Sequence, residues 1–128
     1  EYALYGEKNA EKAIVTYGRI TSDAINAVDE LKNKDKDVLL ISLNQIKPIP
    51  EQVIDLLSDK KEIYFFEEGM KSGGVAEKLG SVLMEKGIKA KYSITAVENK
   101  FAPQASINDL LRMYKLDCDS IINKLTEK

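Results

Sequence analysis

The sequence predicts an α/β fold, with a mostly parallel sheet of four or five strands and helices on both of its faces. Three observations lead there. Short apolar runs rich in β-branched and aromatic residues alternate with segments whose apolar residues recur at helical spacing. The runs are apolar at consecutive positions, as expected of strands buried on both faces. A helical segment separates each pair of runs, and parallel strands need such a crossover to bring the chain back to the same end of the sheet.

In chain order, Tyr2 to Tyr5 is a short strand-like piece that would make the fifth strand. Ala13-Ile14-Val15-Thr16-Tyr17 is a strand ended by Gly18, which permits a sharp turn. Thr21 or Ser22 is a candidate N-cap for a helix whose stripe is Ala24, Ile25, Val28 and Leu31. After the charged stretch Lys32 to Asp37, Val38-Leu39-Leu40-Ile41 forms a second buried strand. Pro50 suits the first position of the next helix, with Glu51 in its positive first turn and Val53, Ile54 and Leu57 on its buried face. Glu62-Ile63-Tyr64-Phe65-Phe66 is a third strand, ending at Glu67-Glu68-Gly69. The glycine-bearing loop Gly69 to Gly74 then enters a helix with Val75, Leu79, Val82 and Leu83 on one face, stopped at Gly87. Ala90 to Ile94 is the fourth strand. A loop through Pro103 leads to a helix from Ser106, with Asp109 in capping-box spacing and Leu110, Leu111 and Met113 apolar. A last helix begins near Asp117 and carries Ile121, Ile122 and Leu125.

Composition narrows the chemistry. The 128 residues fit one domain, and no repeat, linker or low-complexity segment divides them. With 19 Lys+Arg against 21 Asp+Glu, the net charge of -2 lacks the basic footprint of a nucleic-acid binder or a polybasic membrane anchor. There is no histidine, so Ser/His/Asp and Cys/His nucleophile systems, His-ligated metals and an imidazole base are excluded. The single cysteine, Cys118, excludes an intrachain disulfide and any Cys-pair motif. No apolar run approaches the roughly 20 residues of a membrane-spanning helix, and Glu1-Tyr2-Ala3-Leu4 lacks the parts of a secretory signal, so a cytoplasmic location is expected. A chain that begins without Met on a strand-like piece is expected to be part of a longer polypeptide.

Ligands of open α/β sheets bind outside the carboxyl ends of the strands, which directs attention to the loops starting at Gly18, Leu43, Glu67 and Thr95. Ser72-Gly73-Gly74 before a helix offers backbone amides and a helix dipole to an anion. It is neither a GxGxxG nor a GxxxxGK[ST] motif, and a tight turn with close helix-to-strand packing is the plainer reading. Glu67 and Glu68 could bind a cation or act as acid and base, but successive strand residues point to opposite faces, so the pair is expected to diverge into a hydrogen-bonded loop or polar interface. Arg19 and Lys47 are expected to be solvated, Tyr17 to be core or sheet-surface packing, Phe101 to make a local or interdomain contact, and Cys118 to be inert. These residues give no self-sufficient active site.

Taken together, Ala13 to Arg19, Ile41 to Ile49, and Phe66-Glu67-Glu68-Gly69 with Gly73-Gly74 resemble the C-terminal domain of transketolase-like thiamine diphosphate enzymes. The tail, Lys100-Phe101-Ala102-Pro103-Gln104-Ala105-Ser106 with Leu110-Leu111 and Tyr114-Lys115-Leu116-Asp117, is similar to that of the 1-deoxy-D-xylulose-5-phosphate synthases within that group. Departures occur at Ala105 and Val75-Ala76-Glu77, where members tend to have glycine or small residues. The resemblance implies a three-layer α/β/α domain following two larger domains that hold thiamine diphosphate and Mg2+, in an enzyme that condenses pyruvate with glyceraldehyde 3-phosphate and releases CO2. It implies no catalytic, cofactor-binding or metal residue in this chain, an inactive domain when isolated, and a homodimeric full-length enzyme without nucleic-acid or membrane partners. The loop Glu67, Glu68, Ser72, Gly73 and Gly74 remains as an anion or interface loop. Alternatives are the equivalent domain of a transketolase proper, that of a 2-oxo-acid dehydrogenase beta subunit docking an acyltransferase core, or an independent anion- or nucleotide-binding domain using Gly73-Gly74.

Overall fold

A computed structural model of the chain describes residues 2–44, 49–68, 74–96 and 117–126. Five strands, β1 (Tyr2–Gly6), β2 (Lys12–Thr16), β3 (Leu39–Leu43), β4 (Glu62–Glu67) and β5 (Lys91–Ala96), form one sheet. Helices α1 (Ile20–Lys32), α2 (Glu51–Leu57), α3 (Val75–Glu85) and α4 (Cys118–Thr126) flank it. The order across the sheet is β1-β3-β2-β4-β5, with β1 antiparallel to β3 and every other pair parallel. The fold is the expected α/β arrangement with a mostly parallel sheet. The expected helix from Ser106, together with Lys47 and Phe101, falls outside the described residues.

The faces follow from the strand order. The step from β2 to β3 runs one way across the sheet, whereas the steps from β3 to β4 and β4 to β5 run the other way. Right-handed crossovers therefore put α1 on one face and α2 and α3 on the opposite one. On the first face Ile14, Leu40, Tyr64 and Phe66 pack against Ala24, Val28 and Leu31 of α1 and against Ile121, Ile122 and Leu125 of α4. On the second, Val15, Ile41, Ile63 and Phe65 meet Val53 and Leu57 of α2 and Leu79 and Leu83 of α3. Both faces of β2 and β4 are covered, which is why their sequences are apolar at consecutive positions.

Two helix starts differ from expectation. Gly18, at φ 69°, turns the chain at once, and Thr21 N–H donates to Gly18 O at 3.2 Å. The helix thus begins at Ile20 with Arg19 as N-cap, so neither Thr21 nor Ser22 caps it. The Thr21 hydroxyl instead pairs with Ser42 Oγ at 3.1 Å. Pro50 is the N-cap of α2 rather than its first residue, because its ψ of 138° is extended.

The amino ends of the strands are tied by a buried lysine. The Lys60 side chain is 1% exposed, and its Nζ donates to Ala10 O at 2.6 Å and to Lys8 O at 2.7 Å. It joins the turn before β4 to the loop between β1 and β2. Nearby, Lys12 Nζ donates to Leu125 O at 2.7 Å, placing a cation at the negative end of α4. At the other end of α4, the Cys118 backbone N–H donates to the Asp23 carboxylate of α1.

Candidate functional site

Because the crossovers reverse direction about β2, the loops leaving β2 and β4 diverge to opposite faces, and the crevice between them is the position at which open α/β sheets usually hold a ligand. The register pairs Thr16 with Phe66. The residues that leave β2 therefore face those at the end of β4. Tyr17 Oη donates to Glu67 Oε2 at 2.8 Å. Arg19 Nε donates to Glu68 Oε1 at 2.7 Å and Oε2 at 2.6 Å, and Arg19 Nη2 ion-pairs with the same carboxylate. The crevice is thus bridged twice by the chain's own side chains.

Glu67 is 0% exposed. A carboxylate so placed costs several kcal/mol in lost hydration unless hydrogen bonds and a favourable field replace the water. Its second oxygen, Oε1, accepts the Ala76 N–H at 3.3 Å. Ala76 is in the first turn of α3, whose N-cap, Gly74, has no side chain to satisfy these amides. Glu67 supplies the missing acceptor from β4, at the positive end of the helix. From β5, Tyr92 Oη donates to Ala76 O at 2.5 Å and so fixes the same turn from behind.

Burial, then the hydrogen bond from Tyr17 to Glu67, then the charges of Glu67 and Glu68, raise the Tyr17 hydroxyl above its ordinary pKa of 10.0. Burial followed by the Glu67 charge does the same for Tyr92. Both groups keep their protons in the fold at a pH where the unfolded chain loses them. Their stabilisation is complete below pH 10.0 and is lost as the pH rises beyond it. The thermal midpoint is expected to fall steeply above that pH, and less steeply in Tyr17→Phe or Tyr92→Phe, as followed by circular dichroism. An unchanged slope in both variants would exclude these tyrosines as the source.

Of the residues singled out in the sequence, Glu67 and Gly74 come together at the start of α3, Glu68 turns to Arg19, and Ser72 and Gly73 lie outside the described residues. The two carboxylates diverge, as strand alternation requires. Arg19 is paired rather than simply solvated. Tyr17 does pack edge-on against Phe65, with centroids 6.1 Å apart, but its hydroxyl also belongs to the site. Sequence reading missed that role. Aligning the ends of β2 and β4 would have revealed it, since Tyr17 and Glu67 each follow the paired Thr16 and Phe66.

The Ala76 amide of α3 serves Glu67, and Nε and Nη2 of Arg19 serve Glu68. Glu30, Cys118 and Asp119 bring ligand atoms within 4.8 Å of one another. Burial, with the charges of Glu30, Asp119 and Asp23, pushes the Cys118 thiol up to about 11, so the metal-free thiol is protonated at neutral pH. Two surface cavities of about 390 Å³ each lie elsewhere, one near Lys12, Val38 and Leu125, the other between α3 and β5 near Gly80 and Tyr92. Among the described residues no helix is long and apolar enough to cross a membrane.

Comparison with known proteins gives this geometry a family. Residues 1–121 match the family described as transketolase, C-terminal domain. A 1-deoxy-D-xylulose-5-phosphate synthase from Clostridium perfringens is 33% identical over 117 residues, covering 90% of this chain and 19% of the relative. One from Caldanaerobacter subterraneus is 27% identical over 129 residues, covering 100% of this chain and 20% of the relative. The chain therefore spans about a fifth of the length of these relatives. A solved structure described as a split gene transketolase, inactive beta4 tetramer, superposes with a TM-score of 0.84 at 19% identity, over 99% of this chain and 41% of that one. The chain belongs to the transketolase C-terminal domain family.

Proposed function

We propose that the chain is the C-terminal domain of a thiamine diphosphate enzyme of the 1-deoxy-D-xylulose-5-phosphate synthase type, within a longer polypeptide that condenses pyruvate with glyceraldehyde 3-phosphate and releases CO2. In this reading residues 1–128 form one domain, upstream domains bind thiamine diphosphate and Mg2+, and the assembly is a cytoplasmic homodimer. This domain packs against the others and contributes no catalytic residue. The loop from Glu68 through Ser72, Gly73 and Gly74 serves as an interface.

The observation that carries the reading is coverage: 90% of this chain aligns with only 19% of a synthase. The doubly bridged crevice supports a supporting role, since the position where this sheet type usually takes a ligand is filled from within. The test replaces the C-terminal domain of the Clostridium perfringens synthase with residues 1–128 and measures CO2 release from pyruvate with glyceraldehyde 3-phosphate. The chimaera is expected to turn over where the truncated enzyme does not. A folded, cofactor-loaded chimaera without turnover overturns the assignment. Saturable binding of thiamine diphosphate and Mg2+ by the 128-residue chain alone, in calorimetry, overturns the division of labour.

A further inference from the structure

The switch-point crevice of this domain has all the elements of a carboxylate site, and a carboxylate is already in it. The donors are arranged in two directions. Tyr17 Oη reaches one oxygen at 2.8 Å, and the Ala76 N–H reaches the other at 3.3 Å. The positive end of α3, an 11-residue helix, faces the same group. The carboxylate belongs to Glu67, which is 0% exposed and takes both donors from inside the fold. We propose that Glu67 is a tethered ligand, filling from within the carboxylate site formed by Tyr17 and the first turn of α3 and thereby keeping free anions out of it.

The donor set also defines the class of anion. One hydroxyl and one amide match the two oxygens of a monocarboxylate. A phosphate would bring more oxygens and more charge than they can satisfy, and Arg19, the nearby cation, is committed to Glu68. The tether explains how a site of two hydrogen bonds stays filled. A carboxylate on the adjoining strand acts at high effective concentration, because most of the entropy of association is already lost when the sheet forms. The inference concerns this chain alone and stands or falls separately from the reaction proposed above.

The test removes the tether and offers the free ligand. Glu67→Ala deletes the side chain that carries the carboxylate and leaves a space suited to formate or acetate. With formate or acetate added, the thermal midpoint of Glu67→Ala is expected to rise saturably, by about 3–8 °C near saturation, relative to sodium chloride at equal ionic strength. Wild-type protein and Glu67→Gln are expected to show no such rise. Adding Tyr17→Phe to Glu67→Ala is expected to weaken formate binding about tenfold, the worth of one hydrogen bond. A folded Glu67→Ala whose midpoint follows the chloride control overturns the proposal. A second measurement decides it even if that variant does not fold. In wild-type protein the Ala76 amide resonance should not move with acetate, and a saturable shift there would mean that the site is open and Glu67 is not its ligand.

Discussion

Replacing Gly6 with alanine is expected to lower the stability of the chain by about 3–5 kcal/mol, among the larger effects of a single substitution. Gly6 sits at the end of β1 with φ 89°, a backbone conformation that L side chains rarely adopt. Strain alone would cost about 1–2 kcal/mol. The rest is steric. A Cβ at this position would collide with the Val38 carbonyl oxygen and lie 2.9 Å from Val28 Cγ1 of α1. That carbonyl is also the acceptor for Glu7 N–H at 3.1 Å, so moving it aside loosens the junction of β1 with β3. Gly18 and Gly87 give the internal control. Both have positive φ, 69° and 71°, yet an added Cβ meets nothing within 4 Å at either. Their alanine variants should each lose only about 1–2 kcal/mol. Urea midpoints of the three variants measure the contrast, and equal losses at Gly6 and Gly18 would refute the steric part of the argument.

Lys60→Met is expected to cost about 2–3 kcal/mol, although it exchanges a charge for an apolar chain of similar length. The stem remains, but the donor to Ala10 O and Lys8 O is lost. The acceptors are backbone carbonyls that no side-chain replacement removes, and Ala10 is itself buried at 7% exposure. An acceptor left without its donor retains its desolvation cost. Asp59 supplies the comparison. It lies 3.7 Å from Lys60 Nζ but its side chain is 76% exposed, so water screens the pair. Asp59→Asn should leave the urea midpoint nearly unchanged. If it matched Lys60→Met, the ion pair rather than the carbonyl bonds would be the source of the effect.

The strand and helix sequence was legible because each depends on a local pattern. The consecutive apolar residues of β2, β3 and β4, the stripe Val75, Leu79 and Leu83, and Gly87 after α3 are all readable within a short window. The pairings at the carboxyl ends were not. Tyr17 with Glu67 and Arg19 with Glu68 join residues about fifty positions apart, and which residues meet depends on the register of β2 against β4. A shift of one residue would turn Glu67 to the opposite face. Lys60 was hidden for another reason. In Asp59-Lys60-Lys61-Glu62 it has the composition of an ordinary solvated charge run, and only the tertiary position of the β1–β2 loop buries it. The start of α1 shows the same limit at shorter range. Thr21 has the chemistry of a cap, but its hydroxyl is taken by Ser42 of β3.

The strand order also sets when the protein can fold as it is made. A ribosome releases β2 and β3 early, but the other partner of β2 is β4, and the Thr16 hydroxyl finds the Phe66 carbonyl 50 residues further along the chain. Until those residues emerge, β2, buried at all but its first position in the finished fold, has an open edge. The α1 face waits longer still, because Ile121, Ile122 and Leu125 of α4 complete it. At ordinary rates of synthesis, roughly 3–12 s separate the release of β4 from that of α4. Throughout that interval the nascent chain exposes the apolar sheet surface that, among the described elements, α4 covers beside α1.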